Sequence, residues 1–301
     1  MALIEQLARA GALDATNAQL FAPETAWLSH AYGNGGFPIP DSGQNPQYGA
    51  TVFFNVPRDY NGRTPATLSF LDAGGKTVRS FTLHLRDKKE TKLTPAALAD
   101  LDQPSQTAYA LRRLTAIDPG MNAFQWDMRY APATEVRGLH IETTDDFTEV
   151  MLGPTALPGA YTVVFTYGGK TTRQPLHIAL DPRLHPDPNA LQARLALATR
   201  ISNTLDTLNS AINSALAKRS RLSPAQRAQV DGIVNGLVQF QVASSEGDLL
   251  HELHLRDHLA FLMNSLDLAY QAPTPAEYST YAELRGEADA ALAQLGKVMK
   301  P

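Results

Sequence analysis

The densest group of potential metal ligands in the sequence is His251-Glu252-Leu253-His254-Leu255-Arg256-Asp257-His258. On a helix, His254 and His258 share one face and His251 stands a turn earlier, so the three imidazoles could meet one metal ion. The metalloprotease pattern is not met, because Leu255 stands where the second histidine of H-E-x-x-H belongs. The same residues also read as a polar helix face opposite the stripe Leu249, Leu253, Leu259 and Leu262. Asp145, Asp146 and Glu149 are a second cluster, of the kind that serves glycoside hydrolysis or calcium binding. Charged residues bunched in this way more often form a solvated loop face.

Gly74-Gly75-Lys76-Thr77 and Gly168-Gly169-Lys170-Thr171 end like phosphate-binding loops. A Walker loop also needs a glycine five residues before its last one, and Phe70 and Val164 occupy those positions. Both tetrads lie between strand-like runs, so the sequence predicts hairpin turns there. Neither serine nor histidine stands in a nucleophile context such as G-x-S-x-G. No catalytic residue and no cofactor is predicted.

The elements that would position these groups fall into two halves. From Pro46 to Asp181 apolar residues alternate with polar ones, as in Ala50, Val52, Phe54 and Val56, then Phe81, Leu83 and Leu85, then Phe124, Trp126 and Met128. Tyr161, Val163 and Phe165 lead into the second glycine turn, and Leu176, Ile178 and Leu180 return from it. In the connection from Arg86 to Pro119, Thr94-Pro95-Ala96-Ala97-Leu98 predicts a short capped helix. After the stiff joint Asp181-Pro182-Arg183 the period becomes helical. Asp187-Pro188 starts a helix carrying Leu191, Leu195, Ala198, Ile201, Leu205, Leu208, Ile212 and Leu216. Ser223-Pro224-Ala225-Gln226 and Thr274-Pro275-Ala276-Glu277 are capping boxes, and a third helix is predicted from near Ser245 to Tyr270.

The 301 residues carry 26 lysines and arginines against 30 acids, with no long run of one sign. This balance argues against a nucleic-acid surface or a polybasic membrane patch. No apolar stretch approaches the length of a membrane-spanning helix. The absence of cysteine removes disulfides, thiol catalysis and Cys-ligated metal centres. The N-terminus, with Glu5 in its first turn, reads as an amphipathic helix rather than a secretion signal. The chain is therefore expected either to be cytoplasmic or to be the later part of a longer product.

Several phrases favour the second expectation. Gly43-Gln44-Asn45-Pro46-Gln47-Tyr48-Gly49-Ala50, Gly120-Met121-Asn122-Ala123-Phe124-Gln125-Trp126-Asp127-Met128-Arg129-Tyr130, Gly153-Pro154, Pro158-Gly159-Ala160-Tyr161-Thr162-Val163 and Asp181-Pro182-Arg183 follow one another in order. This series resembles the C-terminal region of bacterial exported proteins with an N-terminal sortilin-like, neuraminidase-repeat β-propeller. Its sandwich part is similar to the immunoglobulin-like domain of the flagellar hook-capping protein. The resemblance implies periplasmic or extracellular residence for the parent protein. It carries no catalytic residue over, because the propeller with its aspartate boxes has no counterpart in this sequence.

The expected architecture is α+β and multi-domain, an immunoglobulin-like antiparallel β-sandwich followed by an antiparallel helical bundle. Residues 1–45 are expected to form a lead-in, 46–182 the sandwich and 187–300 a bundle of four helices. The expected function is a non-catalytic accessory module whose partner is a β-propeller or another protein, or a glycan. A non-catalytic fragment of an exo-sialidase-like glycoside hydrolase, its catalytic propeller absent, and a helical metal-binding or assembly module are the alternatives. Leu20, Phe21, Trp27 and Tyr32 are expected to form an exposed apolar patch for the partner, since the lead-in has no evident core of its own. Trp126 is expected in the core, with Asp127 and Arg129 facing outward and pairing across strands.

Overall fold

A computed structural model describes residues 3–10, 16–28, 48–140, 152–240, 252–268 and 270–300. The chain contains both sheets and helices and divides into two compact units, neither of them a continuous stretch of sequence. The first comprises Met1–Lys92, Ala108–Ala131 and Thr155–His185, and the second Leu93–Thr107, Pro132–Pro154 and Pro186–Pro301.

The first unit opens with α1 (Leu3–Ala10) and then holds β1 (Gln19–Leu20), β2 (Ala26–Leu28), β3 (Ala50–Val56), β4 (Ala66–Leu71) and β5 (Thr77–Leu85). The later strands are β6 (Ala116–Ile117), β7 (Gly120–Trp126), β8 (Gly159–Tyr167) and β9 (Lys170–Leu180). They form a three-stranded sheet ordered β1-β3-β7 and a six-stranded sheet ordered β2-β9-β8-β4-β5-β6. The alternation read from the sequence is present: in β4, Ala66, Leu68 and Phe70 are buried while Thr67, Ser69 and Leu71 are partly exposed. Aromatic rings from the two sheets meet in the core. Phe70 stacks on Trp126 at 4.1 Å, Phe54 meets Phe165 at 4.8 Å and Phe81 meets Phe124 at 4.7 Å. Trp126 is fully buried, as expected, and its Nε1–H donates to the Arg129 carbonyl at 3.1 Å.

The six-stranded sheet is mixed rather than wholly antiparallel, since β2 runs parallel to β9 and β5 parallel to β6. Parallel neighbours need a long connection, and each of these pairs has one. The chain from β5 to β6 passes through two helices, α2 (Pro95–Ala99) and α3 (Gln103–Leu114). The cap predicted for α2 is present, with Thr94 Oγ1 accepting from the Ala97 N–H at 3.2 Å. Both glycine tetrads are turns, between β4 and β5 and between β8 and β9. Gly49 has φ +118, and a Cβ there would lie 2.3 Å from the Trp126 carbonyl oxygen, so only glycine allows β3 to start beside the end of β7.

Three expectations about this unit need correction. Residues 19–28 are not a separate lead-in, because β1 pairs with β3 and β2 with β9. Leu20 and Phe21 are 2% and 3% exposed, so they belong to the core and offer nothing to a partner. Asp127 and Arg129 do not continue the strand, because β7 ends at Trp126 and Met128 takes a left-handed φ of 57°, and Arg129 forms an isolated antiparallel bridge with Thr155. The Asp127 carboxylate instead accepts from the Arg129 N–H at 3.1 Å and closes the turn.

The second unit is built on α4 (Pro188–Lys218), α5 (Pro224–Leu237), α6 (Leu255–Ser265) and α7 (Pro275–Val298). The predicted caps are present: Asp187 caps α4, and Ser223–Gln226 and Thr274–Glu277 form capping boxes. The core contains Ile201, Leu205, Leu208 and Ile212 of α4, with Val230, Leu259, Tyr281 and Ala288 from the other helices. It also takes in Ala133, Val136 and Leu139 from an extended segment far upstream. That segment is held by a polar ladder on α4. Asp206 Oδ1 accepts from the Thr134 N–H at 2.9 Å, Asn209 Nδ2 donates to the Thr134 carbonyl at 2.7 Å, and Asn213 bonds Glu135 O and Arg137 N at 2.8 and 2.9 Å. The spacing 206, 209, 213 places all three on one helix face, aimed at main chain that has no strand to pair with.

Candidate functional site

Two features of the first unit present chemistry at its surface. One is the outer face of the six-stranded sheet. The register aligns Thr82, Thr67, Thr166 and Thr171 in one row across β5, β4, β8 and β9, and Ser80, Ser69, Val164 and Arg173 in the next. The hydroxyls bond one another, Ser69 to Ser80 at 2.7 Å and Thr166 to Thr171 at 3.1 Å. Trp27 lies opposite Ala179, flanked along β2 by buried Ala26 and Leu28, so its ring is on this same outer face. It is 50% exposed. His177, two positions before Ala179 on β9, shares the face. None of these ladder positions carries an acid, although the chain as a whole has a formal charge of −4.

The other feature is a cleft of about 640 Å³ along β5 and the C-terminal half of α3. Thr77 to Thr82 and His84 form one wall, Ala108, Leu111, Arg112 and Thr115 the other, and Ala131 also contributes. Arg79 Nη1 donates to the Tyr130 carbonyl at 2.9 Å, and its guanidinium lies 5.3 Å from the centre of the Phe81 ring. Burial lowers the Arg79 pKa, an effect that Asp127 nearby opposes. Burial likewise raises the Asp127 carboxyl above its ordinary range, against the pull of the Arg129 N–H and the Arg79 charge. His84 Nδ1 and Thr115 Oγ1 are 3.3 Å apart, and Arg112 is paired with Glu90. The described lining residues include two arginines and a histidine and no acid.

The second unit holds a buried polar network. Arg256, with no exposed surface, donates to Asp257 Oδ1 at 3.0 Å and to Gln103 Oε1 at 3.3 Å. Gln103 in turn donates its N–H to the Leu139 carbonyl at 2.7 Å. Asp257 Oδ2 accepts from the N–H groups of Gln239 and His254 at 3.2 and 3.1 Å. Glu135 accepts from Thr107 Oγ1 at 2.6 Å, and burial raises its pKa against that bond and the Arg256 charge. These contacts fix the upstream segments to the helices.

The histidine group is placed differently from the sequence reading. α6 begins at Leu255, so His254 is its N-cap, half-buried and extended, and not a residue on a helical face. His258 is exposed one turn further on, and His251 lies outside the described residues. Among the described residues, no three His, Cys, Asp or Glu side chains are grouped to hold a metal ion. Asp145, Asp146, Glu149 and Tyr32 also lie outside the described residues. Sequence reasoning missed the β5–α3 cleft because α3 has no apolar stripe, its one buried residue being Gln103. The threonine row was legible only as alternation, since strand register is needed to align residues from four strands.

Among the described residues no helix is long and apolar enough to cross a membrane. No family model matches the sequence, and no curated protein matches it.

Proposed function

We propose that this chain is a non-catalytic interaction module, an immunoglobulin-like β-sandwich joined to a helical bundle, which binds a protein or glycan partner. The observation that carries the reading is Trp27, half-exposed on a broad sheet face rich in hydroxyls and free of acids at its ladder positions. A tryptophan kept at the surface joins apolar area with an N–H donor, the combination that dominates binding surfaces. The immunoglobulin-like reading is supported by the aromatic layer between two facing sheets and by a tyrosine corner. In that corner the Tyr161 hydroxyl, at the start of β8, donates to the Leu157 carbonyl four residues upstream at 2.7 Å. The resemblance to propeller-bearing exported proteins makes a neuraminidase-repeat β-propeller the first partner to try, in the periplasm or outside the cell.

The test is to immobilise the chain and apply such a propeller and, separately, a panel of neutral and acidic oligosaccharides. Binding of one of them that Trp27→Ala weakens by about tenfold or more is the expected result. Turnover of glycosides by the chain, or binding indifferent to Trp27, would overturn the proposal.

A further inference from the structure

We infer that the open edge of β5 takes up one extended acidic peptide segment as an added strand of the six-stranded sheet. This rests on the reading of the chain as an interaction module and gives that module a second site, on the main chain of β5, with its own class of ligand.

The argument begins with main-chain direction. On one side β5 pairs with β4 from Thr77 to Leu83. On the other it pairs with β6 only at His84 and Leu85, and among the described residues no strand covers Thr77 to Thr82 on that side. The His84 N–H bonds the Thr115 carbonyl at 3.1 Å and the Arg86 N–H the Ile117 carbonyl at 2.9 Å, so the even-numbered main-chain groups point away from β4. Alternation along the strand aims the N–H and C=O groups of Thr82 and Ser80 the same way, into the cleft. An edge of this kind is a template for another strand unless something blocks it. Among the described residues no strand pairs with it here, and residues of α3 form the facing wall of the cleft.

The shape and charge of the cleft select the occupant. Six residues from Thr77 to Thr82 offer roughly 20 Å of edge. α3 lies along the other wall, so a lone strand can enter, whereas a second copy of a sheet, arriving with its own neighbouring strands, would meet the helix. Leu111 on that wall is 39% exposed and gives apolar side chains of the segment a surface to cover. Arg79 and His84 line the cleft beside Arg112, whose charge Glu90 already meets, and no acid is among the described lining residues, so acidic side chains on the segment complement the Arg79 guanidinium. Main-chain bonds then supply affinity and the alternate side chains specificity, as in other strand-addition sites.

The test uses the full chain and a fluorescein-labelled peptide of alternating valine and glutamate, compared with a valine–lysine peptide and with the acidic peptide N-methylated at alternate residues. The acidic peptide is expected to bind about tenfold or more tightly than either control. Hydrogen exchange on the unaltered protein should show the Ser80 and Thr82 amides slowing when the peptide is added, while those of Phe81 and Leu83 change little. Thr82→Pro, which removes an open N–H without touching the β4 ladder, should abolish this binding. Equal binding of the N-methylated peptide, or protection confined to other strands, would overturn the inference. If no peptide binds while Trp27-dependent binding of another partner persists, the edge site falls and the module reading stands. If both are absent, both fall.

Discussion

The two units bury their chains by different means. The sheet unit closes mainly on apolar contact, with Phe54, Phe70, Phe81, Phe124, Trp126 and Phe165 fully or almost fully buried, and its buried Asn55 and Asn122 bond main chain next to the strands. The helical unit adds to its leucine core a set of buried polar groups, Arg256, Asp257, Gln103, Asn209 and Thr204. The difference follows from what each must hold. Strands satisfy their own main chain in ladders, so the space between the sheets is filled by volume and shape. The extended segment from Thr134 to Arg137 has no ladder, so the helices that bury it must supply side-chain partners for its N–H and C=O groups.

This comparison can be broken most severely at Trp126. Trp126→Ala should cost about 4–5 kcal/mol, at the upper end for an aromatic truncation, because the ring is fully buried and stacked. The loss should appear in urea unfolding followed by signals from the sheet unit. Arg256→Ala should cost the helical unit about 3–4 kcal/mol by leaving Asp257 buried beside no cation. Replacing Arg256 and Asp257 together by apolar residues should recover part of that loss, an outcome with no parallel in the sheet core. Asn209→Ala should cost about 1–2 kcal/mol and, in hydrogen exchange, loosen residues 133–139 more than α4 itself. Thr274→Ala, which removes one cap of α7, should cost about 1 kcal/mol.

A pH titration sharpens the same contrast with a smaller effect. Burial raises the Tyr161 pKa, with Tyr130 and Asp72 adding to the rise against its bond to Leu157. Its folded value therefore lies above its unfolded one, near 10. The stability this contributes is complete below pH about 10 and declines as pH climbs from there toward the folded value, because the unfolded chain then releases a proton that the folded one retains. Tyr161→Phe should flatten the alkaline limb of the unfolding curve. A limb unchanged by this substitution would mean that the hydroxyl is solvated.

The longer strands, the two glycine turns and the four proline-led caps were legible because each is a local signal, and in each the structure agrees. What escaped is held by distant residues. Leu20 and Phe21 look stranded in a lead-in until β3 is set beside them, when the Phe21 N–H bonds the Phe53 carbonyl at 3.0 Å. Residues 133–139 have no helical or strand period, since their partners are a polar face of α4. α3 is amphipathic only weakly, with Leu111 and Leu114 both 39% exposed, so its sequence advertises no packing side. His254 was assigned to a helix by continuity, whereas the Asp257 carboxylate receives its N–H and starts the helix one residue later. Trp27 alone of the described patch residues kept the exposure expected for it.

The clasp between Thr134 and α4 also sets an order on biosynthesis. Thr134 leaves the ribosome 75 residues ahead of Asn209, the side chain that donates to its carbonyl. At about 5–20 residues per second that is a wait of roughly 4 to 15 s. Through this interval Ala133, Val136 and Leu139 are apolar side chains without their core, so a nascent chain halted before α4 should be the form that chaperones recognise.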